Sequence, residues 1–402
     1  MQTRNFKFRL YPNSYQIKKL QENLDACRWV YNKMVEVIHK NGSTSRNDLN
    51  YFLTELKQSE HWLYNYHSKM LQMVSTQVAG SQKSLMELHK NGYKTGNLRF
   101  AKYDDYHTFT YNQSGFGIIK YGNSDLLHLL KIGSIEIRKH RNVPENAMIK
   151  QIIVTKSRSG KWYCSVTCDI DAVPPKTNIT KPVGIDVGIK NFAYDSDGFV
   201  TPNPLNLQKM LKPLARVQRK ISRRQPGSNN RKKSVKWYQL IHERIKNRRK
   251  DFLHKLSTQY ARKYDIVFVE KLQKMNMVKN HRFARGILDS GWGTFTNMLY
   301  YKTILAEIPA RNTTVTCSCC GNSVPKSPTV RIHRCDICGL VLDRDHNAAI
   351  NILSKGLGIF GVKSSLPQEL REVTPVEISQ RSRKQEKTIE LSDGSSLSFF
   401  GI

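Results

Sequence analysis

Acidic side chains are scarce in this sequence. Its 402 residues carry 32 Asp+Glu against 65 Lys+Arg, a formal charge of +33 at pH 7. Self-repulsion of that size opposes compaction unless a polyanion neutralises it, so nucleic acid is the first partner to expect. Long apolar runs are missing too. No stretch of 18 apolar residues exists, which excludes a membrane-spanning helix and a membrane partner. The opening Met1-Gln-Thr-Arg-Asn-Phe-Lys-Phe-Arg lacks the apolar block of a signal peptide, so a cytoplasmic protein is expected. No His-x-His pair is present, which disfavours a transposase that cuts with a tyrosine nucleophile. Cysteines are few and unevenly placed: of 8, Cys27, Cys164 and Cys168 stand apart, while Cys317, Cys319, Cys320, Cys335 and Cys338 crowd together. In a cytoplasmic protein that crowding points to metal rather than to disulfides.

What is present suffices for folded domains. Hydrophobic residues make up 39% of the chain, enough for the cores of two or three domains. Phe6, Phe8 and Leu10 alternate with Lys7 and Arg9, predicting a strand that Pro12 ends. Ser14 is placed to cap a helix with Ile17, Leu20, Leu24, Cys27, Tyr31, Met34 and Ile38 on one face. Helices are expected near 47–58 and 66–90, the latter burying Met70, Val74, Val78, Ser81, Leu85 and Leu88. From Leu98 to Asp171 the period changes to two, with candidate strands at 107–111, 117–121, 134–138, 149–156 and 162–169. This reads as a β-barrel with a helical insertion near its N-terminus. A proline-rich linker, 172–182, leads to an α/β region that opens on the apolar strand Val-Gly-Ile-Asp-Val-Gly-Ile and includes a second apolar strand, Ile266–Glu270. After Gly358 the chain loses periodicity and reads as a disordered tail.

Two constellations carry chemistry. Cys317-x-x-Cys320-Gly and Cys335-x-x-Cys338-Gly form two knuckles, the tetrahedral thiolate set that Zn²⁺ prefers. Four thiolates leave no open position, so this zinc is expected to be structural. Cys319 is expected not to bind, and His333 to lie at the surface. The second constellation is three carboxylates: Asp186 within one apolar strand, Glu270 ending another, and Asp345 in Asp343-Arg-Asp-His-Asn-Ala-Ala349. A carboxylate in an apolar strand is costly unless it binds a cation or accepts hydrogen bonds. Three on one sheet edge would hold two Mg²⁺ ions for phosphodiester hydrolysis. Singly they are ambiguous. Gly184-Ile-Asp-Val-Gly188 also suits a phosphate-binding turn of an actin-like ATPase, and Asp345 alone would serve as a helix cap.

These motifs, in this order, resemble the TnpB family of insertion-sequence proteins, relatives of the type V CRISPR effectors. The resemblance runs over about residues 1–355. It includes Phe6-Lys-Phe-Arg-Leu-Tyr-Pro12, Lys131-Ile-Gly133, Arg138-Lys-His-Arg141, Gly160-Lys-Trp-Tyr163, Phe268-Val-Glu-Lys-Leu272, Ser290-Gly-Trp292, Tyr301-Lys302 and the knuckles running into Leu342-Asp-Arg-Asp-His-Asn-Ala-Ala-Ile-Asn351. The resemblance implies a multidomain α+β protein. A wedge-type β-barrel would occupy 1–13 and 98–181, with a helical recognition lobe at 14–97. A RuvC/RNase H-like nuclease domain would span 182–310 and 340–357, interrupted by a zinc ribbon at 311–339, with a tail at 358–402. It also implies RNA-guided cleavage of double-stranded DNA beside a short flanking motif, with a guide RNA from the transposon end. Asp186, Glu270 and Asp345 match the RuvC carboxylates, Cys317, Cys320, Cys335 and Cys338 the zinc ligands, and Arg331 an arginine that would contact the scissile phosphate. The segment between Lys302 and Cys317 is several residues shorter than usual for the family.

The charge has its own message. Between Leu205 and Tyr264 lie 19 basic and 2 acidic residues, about half of the whole excess, with Trp237 and Tyr238 among them. Two helices broken near Pro226-Gly227-Ser228 are expected there. Arginine-rich helices suit a channel that reads the backbone of a guide–target duplex and ignores its sequence. Arg216, Arg219, Arg223 and Arg224 are the candidates on the first helix, and Arg244, Arg248 and Arg249 on the second. Tyr51, Tyr64, Tyr66 and His67 are candidates for touching the flanking duplex. A nuclease-inactive RNA-guided repressor is the alternative function, and a DNA transposase the more remote one.

Overall fold

The computed structural model describes residues 2–144, 146–171, 179–327 and 330–360. These residues fall into two compact units: 1–175 with 217–241, and 176–216 with 242 onward. The expected tail from 361 and most of the expected linker, 172–178, lie outside the described residues.

The first unit joins a curled antiparallel sheet to three helices. Strand β1 (Gln2–Tyr11) buries Phe6, Phe8 and Leu10 and turns Lys7 and Arg9 outward, as its alternation predicts. Helix α1 (Ser14–Asn41) follows, but its cap is Asn13, not Ser14. The Asn13 side chain accepts from the Gln16 backbone N–H, and the Gln16 side chain accepts from the Asn13 N–H. Its buried stripe starts at Leu20, whereas Ile17 is 44% exposed. Helix α2 (Arg46–Ser59) is capped by Ser45, and α3 (Ser68–Lys90) buries Met70, Val74 and Val78 before its last turns expose Met86 and Leu88.

Six strands complete this sheet: β2 (Thr108–Asn112), β3 (Phe116–Tyr121), β4 (Ser124–Leu129), β5 (Gly133–Arg138), β6 (Met148–Lys156) and β7 (Trp162–Ile170). Their order is β2-β6-β7-β1-β5-β4-β3. The Tyr111 hydroxyl donates to the Leu130 carbonyl at 2.8 Å, tying the edge strand β2 to the end of β4. Strand β4, with only Leu127 and Leu129 fully inward, escapes the sequence pattern. Sheet and helices share one continuous core.

In the second unit β8 (Pro182–Val187), β9 (Asn191–Asp195) and β10 (Val200–Pro202) form an antiparallel run. Next in the chain come the basic helices α4 (Leu211–Arg223) and α5 (Asn229–Lys263), whose residues 217–241 are counted with the first unit, separated by a turn with Gly227 at φ 82°. Strand β11 (Ile266–Glu270) is buried from Ile266 to Val269. It is followed by α6 (Lys274–Val278), α7 (His281–Ser290), α8 (Trp292–Tyr300) and β12 (Ile304–Ile308). The small hairpin β13 (Ile332–Arg334) and β14 (Val341–Asp343) leads directly into α9 (Arg344–Phe360). The sheet order is β10-β9-β8-β11-β12, with β8, β11 and β12 parallel.

Helix α9 lies against this sheet at two glycines. A Cβ on Gly184 would stand 2.5 Å from the Leu353 amide nitrogen and would clash with the Ala349 carbonyl. A Cβ on Gly356 would sit 2.6 Å from Cε1 of Phe268. Gly358, by contrast, has open space around it. Gly184→Ala and Gly356→Ala should therefore each cost about 1–3 kcal/mol or more through overpacking. Gly358→Ala should stabilise by about 0.5–1 kcal/mol through helix propensity. Thermal melts of the three variants check this ordering; equal melting temperatures would show that the two contacts are not tight.

Candidate active site and metal centre

The two knuckles fold alike. Cys317 donates its N–H to Asn322 O and Gly321 returns its N–H to Cys317 O; Cys335 and Gly339 repeat the pattern with Leu340 O and Cys335 O. Gly321 at φ 75° and Gly339 at φ 72° take the left-handed conformation that closes each turn. The four sulfurs of Cys317, Cys320, Cys335 and Cys338 lie within 4.8 Å of one another. The Cys317–Cys338 and Cys320–Cys335 Sγ separations are 3.7 and 3.6 Å. Those are far too long for disulfides, and they approach the edge of about 3.8 Å that a tetrahedron with Zn–S bonds of about 2.3 Å requires. The residues thus fit a zinc ion. Cys319 is exposed and outside the group.

His333 corrects an expectation: it is fully buried, not at the surface. It pairs with Leu342 across the β13–β14 hairpin, and its ring contacts the Lys326 ammonium. Burial and that cation hold its pKa below the usual histidine range.

Two asparagines of α9, absent from the sequence-based candidates, fasten the first knuckle. Asn347 accepts from Ser318 N–H at 2.9 Å and donates to Thr316 O at 2.8 Å. Asn351, one turn on, donates to the carbonyls of Thr313 and Thr316 at 2.8 and 2.7 Å. Both are buried. Their i, i+4 spacing on a helix is the sequence signal that would have found them.

The three carboxylates come from β8, β11 and the first turn of α9. Burial, then the charges of Glu270 and Asp345, push the Asp186 carboxyl well above its ordinary value, and Arg344 opposes them. Glu270 is also raised, mainly by burial, although it accepts a hydrogen bond from the buried Thr313 hydroxyl and feels Lys355. Asp345 is not the helix cap that its position alone would allow. Asp343 takes that part, its side chain accepting from the Asp345 N–H at 2.8 Å. The Asp345 carboxylate instead faces two guanidinium groups. Arg344 donates to it through Nε and Nη2 at 3.2 and 3.1 Å, and Arg331 Nη1 lies at 3.7 Å. Tyr194, paired with Asp186 across β8 and β9, stacks on His346 with ring centroids 5.0 Å apart. Arg344, Tyr194 and His346 were not sequence candidates.

The basic helices carry both exposed arginines and arginines held by the fold. Arg216, Arg219 and Arg223 are exposed on α4, while Leu214 and Val217 form its buried side. Arg244 and Arg248 are exposed on α5. Arg224 closes the inter-helix turn by donating to Asn230 O and Ser234 Oγ, both at 2.5 Å. Arg249 pairs with the buried Asp289 at 2.7 Å. Lys302 is likewise structural, donating to His254 O, Ser257 Oγ and Thr258 Oγ1 at 3.0, 2.7 and 2.8 Å. Tyr51 and Tyr64 are exposed, but His67 is buried and stacks on Tyr111 at 5.1 Å.

Comparison with known proteins decides what kind of chain this is. A Streptomyces pristinaespiralis protein named "Putative RNA-guided DNA endonuclease" is 32% identical over 376 residues, 88% of this chain and 89% of that protein. This chain belongs to the TnpB family. An Escherichia coli K12 protein named "Putative RNA-guided DNA endonuclease InsQ" is 29% identical over 381 residues, covering 87% of this chain and 92% of its own. Family profiles match in three places: "Probable transposase" (OrfB_IS605) over 165–281, "Cas12f1-like, TNB domain" over 292–352, and "Helix-turn-helix domain" over 1–41. In this TnpB chain the last span folds as a strand and one unbroken helix, β1 and α1. Among solved structures, the protein of a "Cas12f1-sgRNA-target DNA complex" shares the fold, with a TM-score of 0.57 at 15% identity over 83% of this chain and 81% of that one. Among the described residues of this TnpB protein, no helix is long and apolar enough to cross a membrane.

The raised Asp186 has a testable consequence in Mg²⁺-free buffer. A carboxyl whose folded pKa exceeds its unfolded value of about 3.9 favours folding when protonated, and that favour is lost as pH rises through the folded pKa. Asp186→Asn should therefore raise the melting temperature at pH 8, by about 2–4 °C per kcal/mol of repulsion and desolvation removed, and gain less at pH 5. Melting curves at the two pH values check it. A variant no more stable than the parent at pH 8 would show that Asp186 feels no such strain.

Proposed function

We propose that this chain is an RNA-guided DNA endonuclease that cuts double-stranded DNA beside a short flanking motif, with a guide RNA drawn from a transposon end. One observation carries the reading. In a chain similar over 87–88% of its length to proteins named as RNA-guided DNA endonucleases, Asp186 is buried on β8 where the charges of Glu270 and Asp345, from distant parts of the sequence, add to burial in raising its carboxyl. Acids brought together at that cost, with burial as the larger part of it, favour a divalent cation. The repressor alternative calls for loss of a carboxylate, and all three are present.

Asp186, Glu270 and Asp345 would hold two Mg²⁺ ions. Bound there, Mg²⁺ supplies Lewis-acid chemistry for phosphodiester hydrolysis. The rest falls to the chain itself. The Thr313 hydroxyl orients Glu270, and the half-buried Arg331 would reach a phosphate oxygen of the strand being cut. Cys317, Cys320, Cys335 and Cys338 would hold one structural Zn²⁺, whose task is to keep the Thr313–Thr316 segment docked on α9 through Asn347 and Asn351. Arg216, Arg219, Arg223, Arg244 and Arg248 would follow the guide–target duplex by its phosphates, while Arg224 and Arg249 act by holding the helices in place.

In this reading residues 1–13 and 98–181 are a wedge-type domain and 14–97 a recognition lobe. Residues 182–310 and 340–357 form a RuvC-like nuclease, interrupted by a zinc ribbon at 311–339. The parallel trio β8, β11 and β12 with an antiparallel hairpin on one side supports the RuvC-like assignment.

The function is tested by exchanging only the guide portion of the bound RNA. Cleavage should move to the new matching plasmid target, because base pairing and not the protein reads the sequence. Cutting that stays at one DNA sequence whatever RNA is supplied would refute the guided reading, and guided binding without strand scission would favour the repressor.

A further inference from the structure

The carboxylate cluster already contains a cation, and the chain supplies it. Arg344 is the first residue of α9 and its side chain is only 13% exposed. Two of its nitrogens reach one oxygen of Asp345, at 3.2 and 3.1 Å. Its third nitrogen donates to the Val330 carbonyl at 3.2 Å, and its backbone N–H donates to Arg331 O at 2.7 Å. The other Asp345 oxygen is 3.7 Å from Arg331, whose Nε is buried without a hydrogen-bond partner. The charge of Arg344 is also felt at Asp186. Both oxygens of Asp345 therefore face guanidinium groups, so the carboxylate is neutralised before any metal arrives.

A guanidinium in this place has two effects on a divalent ion. It occupies the lone pairs that a metal would use, and its charge repels a second cation within a few ångströms. We propose that Arg344 is an internal latch on the metal site: it holds Asp345 in the nucleic-acid-free protein and must release that carboxylate before Asp345 can serve a divalent cation. This inference rests on the carboxylates being the metal site. Release would also free the guanidinium's hold on Val330, at the start of the hairpin that carries Cys335 and Cys338, so cation loading and the seating of that hairpin would be coupled. Because Arg344 adjoins Asp345 on a helix anchored at Gly184 and Gly356, the side chain and not the backbone has to move.

The test is a calorimetric titration of the full-length, zinc-loaded chain with Mn²⁺, without nucleic acid. Arg344→Gln should tighten Mn²⁺ binding by about tenfold, the equivalent of one competing charge-assisted hydrogen bond. Arg344→Lys keeps the charge but not the two-nitrogen grip, and should fall between Gln and the parent. Zinc content and melting temperature monitor the fold in each sample, and the Lys variant serves if Gln fails to fold. Unchanged or weaker Mn²⁺ affinity in folded Arg344 variants, with parent binding that is lost in Asp186→Ala, would overturn the latch alone. Parent binding that Asp186→Ala leaves unaltered would overturn the carboxylate site itself, and the latch with it.

Discussion

The site depends on how closely α9 lies on β8. Gly184 lets the backbone of Ala349 and Leu353 rest on the strand, and Gly356 lets the helix pass the ring of Phe268. Strand β8 carries Asp186 two residues beyond the first contact, β11 carries Glu270 two residues beyond Phe268, and α9 begins with Arg344 and Asp345. The packing of α9 on this sheet therefore positions the strands and the helix that carry the three carboxylates. The same helix, through Asn347 and Asn351, holds the segment whose Thr313 hydroxyl orients Glu270. Sheet, helix and cysteine knuckles meet along α9, so a local change in the knuckles reaches the carboxylates through a few buried hydrogen bonds.

Charge is organised in opposite senses in different parts of the chain. A chain with an excess of +33 concentrates about half of it around α4 and α5, while the site gathers acids. On the helices the exposed arginines lie opposite a narrow buried stripe, which suits a sequence-blind grip on phosphates. In the site burial and the neighbouring acids raise Asp186, and Arg344 and Arg331 both face Asp345. In the proposed function, affinity for nucleic acid and the capacity to cut it fall to separate residues.

Much of this was legible in the sequence, for physical reasons. Thiolate pairs with a glycine after each knuckle have few other uses, and a carboxylate at the end of Ile-Val-Phe-Val is costly enough to stand out. The alternation of β1 and the period of α1 and α3 located their cores within a turn. The misses came where a residue's role depends on a partner remote in sequence or on a neighbour able to do the same task. Asn13 outcompetes Ser14 as a cap because Gln16 returns its hydrogen bond. His333 is buried because the hairpin register faces it inward beside Lys326. Arg249 looks like a free cation until Asp289, forty residues on, is seen beside it. Arg344 was hidden by its two acidic neighbours, whose motif drew attention to the carboxylates.

The central claim is that Asp186, Glu270 and Asp345 form one cutting centre. Single-turnover cleavage of a matched plasmid in Mg²⁺, measured beside guide-RNA and target binding for the three single alanine variants, tests it most directly. The account predicts that each substitution abolishes scission while binding stays close to that of the parent, because each removes a metal ligand and no nucleic-acid contact. Near-native cutting by any one of the three would contradict it.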